Sequence, residues 1–527
     1  MSDRPSSRVR RSTLSIALAL TLAGSLLPLG TSAAAAGSAS ARRVRPPTPE
    51  LIERAVRRGE ITEARGALYL AWAFSAPDRV PEEYVSDTPW SGTLPLLELQ
   101  RTLPELGDAP AAATARSALR GKTFACPGTT GSLPKNRSTK HFYIQHSTMK
   151  GASINEYAAA LETTWKTEIG KFGWAKPPKD PVSYPKGGRY PVRIENLGPG
   201  LYGFVTGTRF AGNNPATPWN DRDAVASCMV LARNFVPFPG STLDALRATA
   251  AHEFNHSIQF GYGALIGPGS ASNVMIEALA TWMEDEVFDA ANDSYNYLWP
   301  NVTVPMGRYN PGFPYPYWVV FRAMVERFGT GVKNGSEKVY QAFWELVSKR
   351  TATNLKALGK AFKSAKNITL AQAFHDASIA LRFSRDCSDP RYCLEEGSAY
   401  LATPTPPGDE HPGDHDTLGP LDEPLPRKIA NDLSMNWIGL PTQNNLRVQV
   451  THDGGKGVLK VSIACRNGNE VTVEGSGTAT SGDPEVDLQN LDLLVCEEAT
   501  AVISNVKVTS ATPKKTTRTD YTIAIIN

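Results

Sequence analysis

The segment LDALRATAAHEFNHSIQFGYG, residues 243–263, contains the pattern H-E-x-x-H at His252, Glu253 and His256. Its apolar residues recur at helical spacing, and no Gly or Pro lies between positions 243 and 260, which predicts a helix. Residues four apart lie on one face of a helix, so both imidazoles can bind one tetrahedral Zn²⁺ ion. Glu253 is then placed to act as a general base that takes a proton from the water attacking a carbonyl group.

A zinc site without thiolate ligands needs a third His, Asp or Glu. Gln259 and Tyr262 stand where the longer metzincin motif requires Gly and His, which excludes that class. A second segment, NVMIEALATWMEDEVFD, follows after a Gly/Pro-containing loop and is also predicted to be helical. It offers Glu277, separated from His256 by twenty residues, as the third ligand.

The same segment ends in an acidic run, Glu284, Asp285 and Glu286, whose members are alternatives to Glu277 as ligand. Charged residues at the end of a helix are usually solvated, and we expect that of this run. A second interpretation of the region is a Ca²⁺ site that includes Asp289 and Asp293, because carboxylate oxygens are the ligands that Ca²⁺ prefers.

Taken together, His252–Tyr262 and Glu277–Glu284 resemble the gluzincin metallopeptidases, the clan of thermolysin and the aminopeptidase-N-type enzymes. The pattern E-x-x-A-x-x-x-E that starts at Glu277 is similar to the second helix of the aminopeptidase branch. The longer run through NDSYNYL is most similar to a group of secreted bacterial metalloproteases. The resemblance is sharp over about residues 250–300, and it implies zinc ligands at His252, His256 and Glu277 with Glu253 as the general base.

The chain departs from the family in the slightly longer spacing of twenty residues, in Ala278 where aminopeptidases usually have Gly, and at two further points. Thr281 stands where thermolysin-like enzymes carry an Asp that orients the first His, and no G-x-M-E-N motif, the aminopeptidase contact for a free amino terminus, is present. The absence of that motif favours an endopeptidase. The clan also uses a Tyr or His to stabilise the oxyanion, for which Tyr315 and Tyr317 in NPGFPYPYWVVF are equal candidates.

With 527 residues, of which 41% are hydrophobic, the chain is long enough for several domains. Composition and pattern predict an α+β zincin-like catalytic domain, a mixed twisted sheet plus helices, with a C-terminal antiparallel β-sandwich. The predicted boundaries are a signal peptide at 1–41, a helical N-terminal segment or pro-segment at 42–120, the zincin-like domain at 121–402, a Pro- and Asp-rich linker at 403–427 and the β-sandwich at 428–527.

The N-terminus is typical of an export signal. Arginines precede an apolar stretch at 14–29, and small residues with A-x-A choices follow it. Beyond residue 41, basic and acidic residues are equal in number, which argues against nucleic acid as the main ligand. No later stretch is apolar enough to span a membrane. We therefore expect a secreted protein without a membrane span after cleavage.

An exported chain with an even number of cysteines is expected to form disulfides. Their spread along the chain suggests the pairs Cys387–Cys393 and Cys465–Cys496, and Cys126–Cys228 would remain as the third.

These observations predict a secreted zinc-dependent metallopeptidase that hydrolyses peptide bonds in protein or peptide substrates, as an endopeptidase. One alternative from a different class stays open: an exported, non-catalytic binding or structural protein on a gluzincin scaffold. The two differ in whether an activity exists that chelation of the metal abolishes. The oligomeric state and the fate of residues 42–120 are not predicted.

Overall fold

The computed structural model describes residues 45–120, 133–180, 187–265, 271–299, 305–307, 314–351, 354–385, 389–403, 415–509 and 517–526. Residues 44–527 form one compact unit of mixed α+β structure with several sheets. The predicted signal peptide at 1–41 lies outside the described residues. Within the described part of the chain, no helix is long and apolar enough to cross a membrane.

The N-terminal part is helical, as its apolar spacing predicts. Its helices are α1 (Thr48–Arg57), α2 (Glu63–Ser75), α3 (Thr93–Glu105) and α4 (Pro110–Arg120). The side chain of Thr62 caps α2 by accepting a hydrogen bond from the N–H of Arg65. Small and aliphatic side chains of α2, α3 and α4 form a separate apolar cluster that includes Ala71 and Leu99.

A six-stranded mixed sheet supports the centre of the molecule. Its strands are β1 (Trp90–Ser91), β2 (Lys135–Ser138), β3 (Phe142–His146), β4 (Tyr190–Glu195), β5 (Leu201–Gly212) and β6 (Ala224–Ala232). The order is β1-β5-β6-β4-β3-β2, with β5 antiparallel to β6, while β3, β4 and β6 are parallel to one another. The outer edge of β5 therefore carries only the two-residue strand β1, which runs parallel to it.

The remaining helices pack on this sheet and on one another. They are α5 (Ile154–Trp165), α6 (Thr242–Gly261), α7 (Asn273–Val287), α8 (Trp318–Val325), α9 (Glu337–Ser348), α10 (Asn354–Lys366), α11 (Leu370–Phe383) and α12 (Gly397–Ala402). A π-helical stretch, Lys166–Phe172, continues α5. Helix α6, which contains the H-E-x-x-H pattern, is almost entirely buried from Ala245 onward.

Two further sheets enclose a common apolar core at the C-terminus, and we call them the C-terminal sheet pair (residues 416–525). Their strands are β7 (Asp416–Thr417), β8 (Leu425–Ala430), β9 (Ser434–Leu440), β10 (Leu446–Gly454), β11 (Val458–Asn467), β12 (Glu470–Thr480), β13 (Glu485–Leu491), β14 (Glu498–Asn505) and β15 (Arg518–Ile525). The orders are β13-β10-β15-β8 and β12-β11-β14-β9-β7. All pairings are antiparallel except β7 with β9.

The predicted linker at 403–427 is too long. Strand β7 and the start of β8 fall inside it, and Leu418 between them is buried in the core of the sheet pair. Its Pro- and Asp-rich composition hides these short strands, because both residues of β7 are exposed and β8 contributes only Leu425 and Ile429 to the core.

The predicted disulfide Cys465–Cys496 is present and joins β11 to the turn before β14. Cys228 and Cys393 are disulfide-bonded as well. Cys126 and Cys387, their predicted partners, lie outside the described residues.

Helix α11 connects the sheet pair to the rest of the molecule through buried polar contacts. The two ring nitrogens of His375 lie 2.9 and 2.8 Å from the hydroxyls of Ser504 and Ser462. The indole N–H of Trp437 donates to the carbonyl oxygen of Ser378 at 2.9 Å. The junction is therefore held by specific hydrogen bonds in addition to apolar packing.

Candidate metal centre

The centre lies between α6 and α7, and each helix has a defined start. Ser241 caps α6 and Ser272 caps α7, each by accepting a hydrogen bond from a backbone N–H three residues later. These caps fix where each helix begins, and therefore which residues face the neighbouring helix. His252 and His256 of α6 and Glu277 of α7 face one another, and all three are buried.

The side-chain ligand atoms converge closely. Nε2 of His252 lies 3.0 Å from Nε2 of His256 and 3.0 Å from Oε2 of Glu277. Nε2 of His256 lies 3.5 Å from the same carboxylate oxygen. The sequence-predicted ligand set is thus brought together from two helices.

Neighbouring acceptors define the tautomer of each imidazole. Nδ1 of His252 lies 2.6 Å from Oε1 of Glu284, and Nδ1 of His256 lies 3.0 Å from Oε1 of Gln259. The amide nitrogen of Gln259 donates to Oδ1 of Asn255 and to a backbone carbonyl, which turns its oxygen towards His256. Both Nδ1 atoms therefore carry protons, and both Nε2 atoms face the centre.

This arrangement suits a cation. Two lone pairs that face each other repel unless a proton or metal lies between them, and Oε1 of Glu277 is a buried oxygen without a hydrogen-bond partner among the described residues. Although burial opposes ionisation, the nearby imidazoles lower the pKa of Glu277 to about 2. His252, His256 and Glu277 can hold a metal ion, and they form the one such group within the described ranges.

The acidic run after Glu277 is not a solvated helix end, so that expectation was wrong. Glu284 and Asp285 are buried, because Glu284 contacts His252 and Asp285 forms an ion pair with Arg322. A charge pattern alone does not distinguish a solvated helix end from a buried one whose partners come from other helices.

The two residues of the calcium interpretation are not equivalent. Asp289 is exposed, whereas Asp293 is buried and accepts hydrogen bonds from the hydroxyl of Tyr202 and the side-chain amide of Asn296. Neither belongs to a group that could hold a metal within the described part of the chain.

Glu253 is fully buried beside the three ligands. Its Oε1 accepts a hydrogen bond from the Ser91 hydroxyl at 3.0 Å, and its Oε2 accepts one from the Thr93 hydroxyl at 2.9 Å. Burial raises the pKa of Glu253, while the adjacent imidazoles act in the opposite direction. A carboxylate with a raised pKa is a stronger proton acceptor, as general-base chemistry requires.

Of the two tyrosines, only Tyr315 reaches the centre. Its ring centroid lies 6.1 Å from that of His252, and its hydroxyl accepts the Ser91 N–H at 3.3 Å. Tyr317, two residues later, is buried and lines neither of the cavities beside the metal group. The geometry therefore favours Tyr315 for contact with a bound substrate.

Sequence reasoning missed three residues that contact the centre, Ser91, Thr93 and Gln259, and it named Glu284 only as an alternative metal ligand. Gln259 could have been found, because it follows His256 by three positions and so shares its helix face. Ser91 and Thr93 lie more than 150 positions before Glu253, and nothing in their local sequence indicates this contact.

No protein-family profile matches the chain, and no curated protein sequence does. Solved structures with partial likeness include PirA, at 14% identity over 20% of this chain and 94% of the other, with a TM-score of 0.16. Two others are the pre-peptidase C-terminal domain of a Bacillus anthracis collagenase (9% identity, 21% and 95% coverage, TM-score 0.15) and Aeromonas hydrophila PliG, a periplasmic inhibitor of g-type lysozyme (11%, 21% and 96%, 0.16). At these scores the likenesses carry no argument about fold or function.

Proposed function

We propose that this chain is a secreted zinc metallopeptidase that hydrolyses peptide bonds inside protein or peptide substrates. The observation that carries the proposal is the convergence of two Nε2 atoms and the Glu277 carboxylate, with a fourth buried side chain, Glu253, beside them. Two imidazoles and one carboxylate are a donor set typical of catalytic zinc. When bound, zinc supplies Lewis acidity for the carbonyl group and for the attacking water.

The chain's own residues take distinct parts in this proposal. Glu253 accepts the proton of the attacking water and passes it to the leaving amine. Tyr315 donates a hydrogen bond to the oxygen on which charge develops. Glu284 and Gln259 orient the two imidazoles through Nδ1.

The scaffold supports a zincin-like arrangement. Helix α6 packs against the six-stranded sheet, and Gly203 of β5, the strand next to the two-residue edge strand β1, lies against Glu253, since a Cβ at Gly203 would be 3.4 Å from Glu253 Cγ. An extended peptide that pairs with the edge of β5 would bring its backbone next to the general base. Such pairing uses only the backbone of the substrate and needs no free terminus, which fits an endopeptidase.

Metal content and hydrolysis together test the proposal. The secreted chain should contain about one zinc ion per molecule by mass spectrometry, and it should cleave an unstructured protein such as casein. Chelation should abolish the cleavage, and added zinc should restore it. The Glu277→Ala variant should lose both metal and activity, whereas Glu286→Ala, a change on the same helix at a side chain bonded to Trp282, should keep both.

The alternative function is a non-catalytic metal site in an exported binding or structural protein. The observation in its favour is that hydroxyl groups already bond both oxygens of Glu253. A chain that binds zinc but cleaves nothing under any condition, in wild type and in every variant, would support this alternative and contradict the peptidase.

A further inference from the structure

A short stretch of the N-terminal helical part occupies the groove beside the metal centre, and we call residues 90–93 the cleft segment. The N–H of Trp90 donates to the carbonyl of Gly200, and the N–H of Gly92 donates to the carbonyl of Gly203, both at 2.8 Å. The segment thus pairs with the edge of β5 where that strand passes Glu253. An extended substrate needs the same backbone groups.

The side chains and backbone of the cleft segment also contact the groups assigned to catalysis. Ser91 and Thr93 donate to the two oxygens of Glu253, and the Ser91 N–H donates to the hydroxyl of Tyr315. Thr93 is fixed in turn, because its hydroxyl accepts the N–H of Val205 on β5 at 2.8 Å. One tetrapeptide therefore contacts the general base, the candidate oxyanion donor and the sheet edge together.

The space around the centre is divided by this segment. A cavity of about 240 Å³ reaches Glu277 on one side, and a cavity of about 30 Å³ reaches His252 and Glu253 on the other. Trp90 and Ser91 of the segment line both cavities, together with Tyr315, so these three residues lie between them. Neither cavity alone gives an extended peptide a continuous path past Glu277, His252 and Glu253.

We infer that the cleft segment holds the centre in a latent state, and that it must leave the edge of β5 before a peptide substrate can bind. The inference rests on the proposed peptidase function and adds its regulation. The rest of the N-terminal part gives the segment a defined support: Trp90 packs edge-to-face on Phe74 of α2, with ring centroids 5.5 Å apart. Displacement of the helices would therefore withdraw the segment.

Gly92 offers a direct way to test this in the full chain. A Cβ at Gly92 would lie 2.7 Å from a ring carbon of Phe74 and 3.0 Å from Phe204 Cβ, so in Gly92→Ala the segment cannot keep its present position between α2 and β5. Gly170→Ala is the matched control, because a Cβ there meets nothing within 4 Å. Ser91→Ala is a milder second variant that removes one hydrogen bond to Glu253 without adding bulk.

The first measurement is binding of a peptide hydroxamate to the zinc-loaded chains, measured by calorimetry. We expect at least tenfold tighter binding to Gly92→Ala than to wild type or Gly170→Ala, and a smaller gain for Ser91→Ala. Hydrogen exchange of the peptide that contains residues 90–93 should rise when the hydroxamate binds. Equal affinity in all four chains, or exchange that does not change on binding, would overturn the inference.

Casein cleavage by the same chains separates the two proposals. Faster cleavage by Gly92→Ala and Ser91→Ala supports the latent state. Wild-type cleavage that equals or exceeds that of both folded, zinc-loaded variants refutes the latent state but leaves the peptidase intact. Slower cleavage by Ser91→Ala than by wild type would show in addition that Ser91 positions Glu253. Absence of cleavage in every chain, with zinc bound, refutes the peptidase itself and the latent state with it.

Discussion

Glu284 and His252 are joined by a 2.6 Å contact between a carboxylate oxygen and Nδ1, and both side chains are buried. Glu277, seven positions earlier on the same helix, faces Nε2 of the same imidazole at 3.0 Å. Two carboxylates separated by two helical turns therefore contact opposite sides of one ring. Glu277 presents its oxygen to the metal position, and Glu284 fixes the tautomer that makes Nε2 a ligand.

The replacement Glu284→Gln tests this pairing. The amide oxygen can still accept from Nδ1, but the negative charge that makes the imidazole more basic is lost, so zinc affinity should fall about 10-fold to 100-fold. Competition with a fluorescent chelator measures it. Glu286→Gln is the control, because Glu286 bonds Trp282 rather than a histidine, and its affinity should equal that of wild type. If Glu284→Gln and Glu286→Gln bound zinc with equal affinity, Glu284 would have no role in holding His252 for the metal.

The replacement Glu253→Gln separates chemistry from metal binding. The amide keeps the shape of the side chain and can still bond the hydroxyls of Ser91 and Thr93, but it cannot accept a proton. We expect zinc content to be unchanged and the turnover rate to drop about 10²-fold to 10⁴-fold. Mass spectrometry and peptide cleavage are measured on the same preparation. Full activity in this variant would show that the proposed mechanism is wrong.

Tyr315→Phe tests the oxyanion assignment. Loss of a hydrogen bond that forms mainly in the transition state should lower kcat by about 10²-fold and leave KM nearly unchanged. Tyr317→Phe is the matched control, because Tyr317 lines neither cavity beside the centre, and it should behave as wild type. If Tyr317→Phe shows the larger loss of kcat, the roles of the two tyrosines are reversed.

The junction at α11 should make stability depend on pH through His375. Burial, followed by the nearby Lys460, lowers the pKa of His375 to about 3, whereas an unfolded chain has a His pKa of about 6.5. Between these values the unfolded chain takes up a proton that the folded chain does not, so stability is lost as pH falls below about 6.5, by about 1.4 kcal/mol per pH unit.

The measurement is the melting temperature of wild type and His375→Gln between pH 7 and pH 4.5. The variant should melt lower at pH 7, because one of the two serine hydroxyls loses its partner, but its melting temperature should fall less steeply towards low pH. Parallel curves for the two proteins would contradict the assignment of this pH dependence to His375.

The parts of the site that local sequence could predict are those within one helix or one helical pair. The spacing of His252 and His256 fixes a common face, and Glu277 follows from the next amphipathic helix. Ser91 and Thr93 could not be predicted in the same way, because their contact with Glu253 depends on which strand covers the edge of β5. That choice involves the packing of Trp90 in β1 on Phe74 of α2 and the pairing of β1 with a strand more than 100 positions later.

In the fold, too, features within one segment could be predicted from the sequence, whereas contacts between distant segments could not. Long strands with alternating or continuous apolar residues, such as β6 and β11, are evident from composition. Short strands at the start of the sheet pair are not, since β7 has two exposed residues and is held by backbone pairing with β9 and by an ion pair between Asp416 and Arg427. The burial of Asp285 likewise depends on Arg322 of another helix, which no pattern within α7 reveals.

The polar junction between α11 and the C-terminal sheet pair has a consequence for how the two parts can act together. Buried bonds through His375 and Trp437 fix the orientation of the sheet pair with respect to the centre. A ligand held on the sheet pair would thus meet the cleft at one constant effective concentration, in contrast to the average over many separations that a flexible tether gives. A target would be favoured if its bound site and its cleaved bond are as far apart as the sheet pair is from the cleft. A target too short to span that distance would gain nothing from binding to the sheet pair.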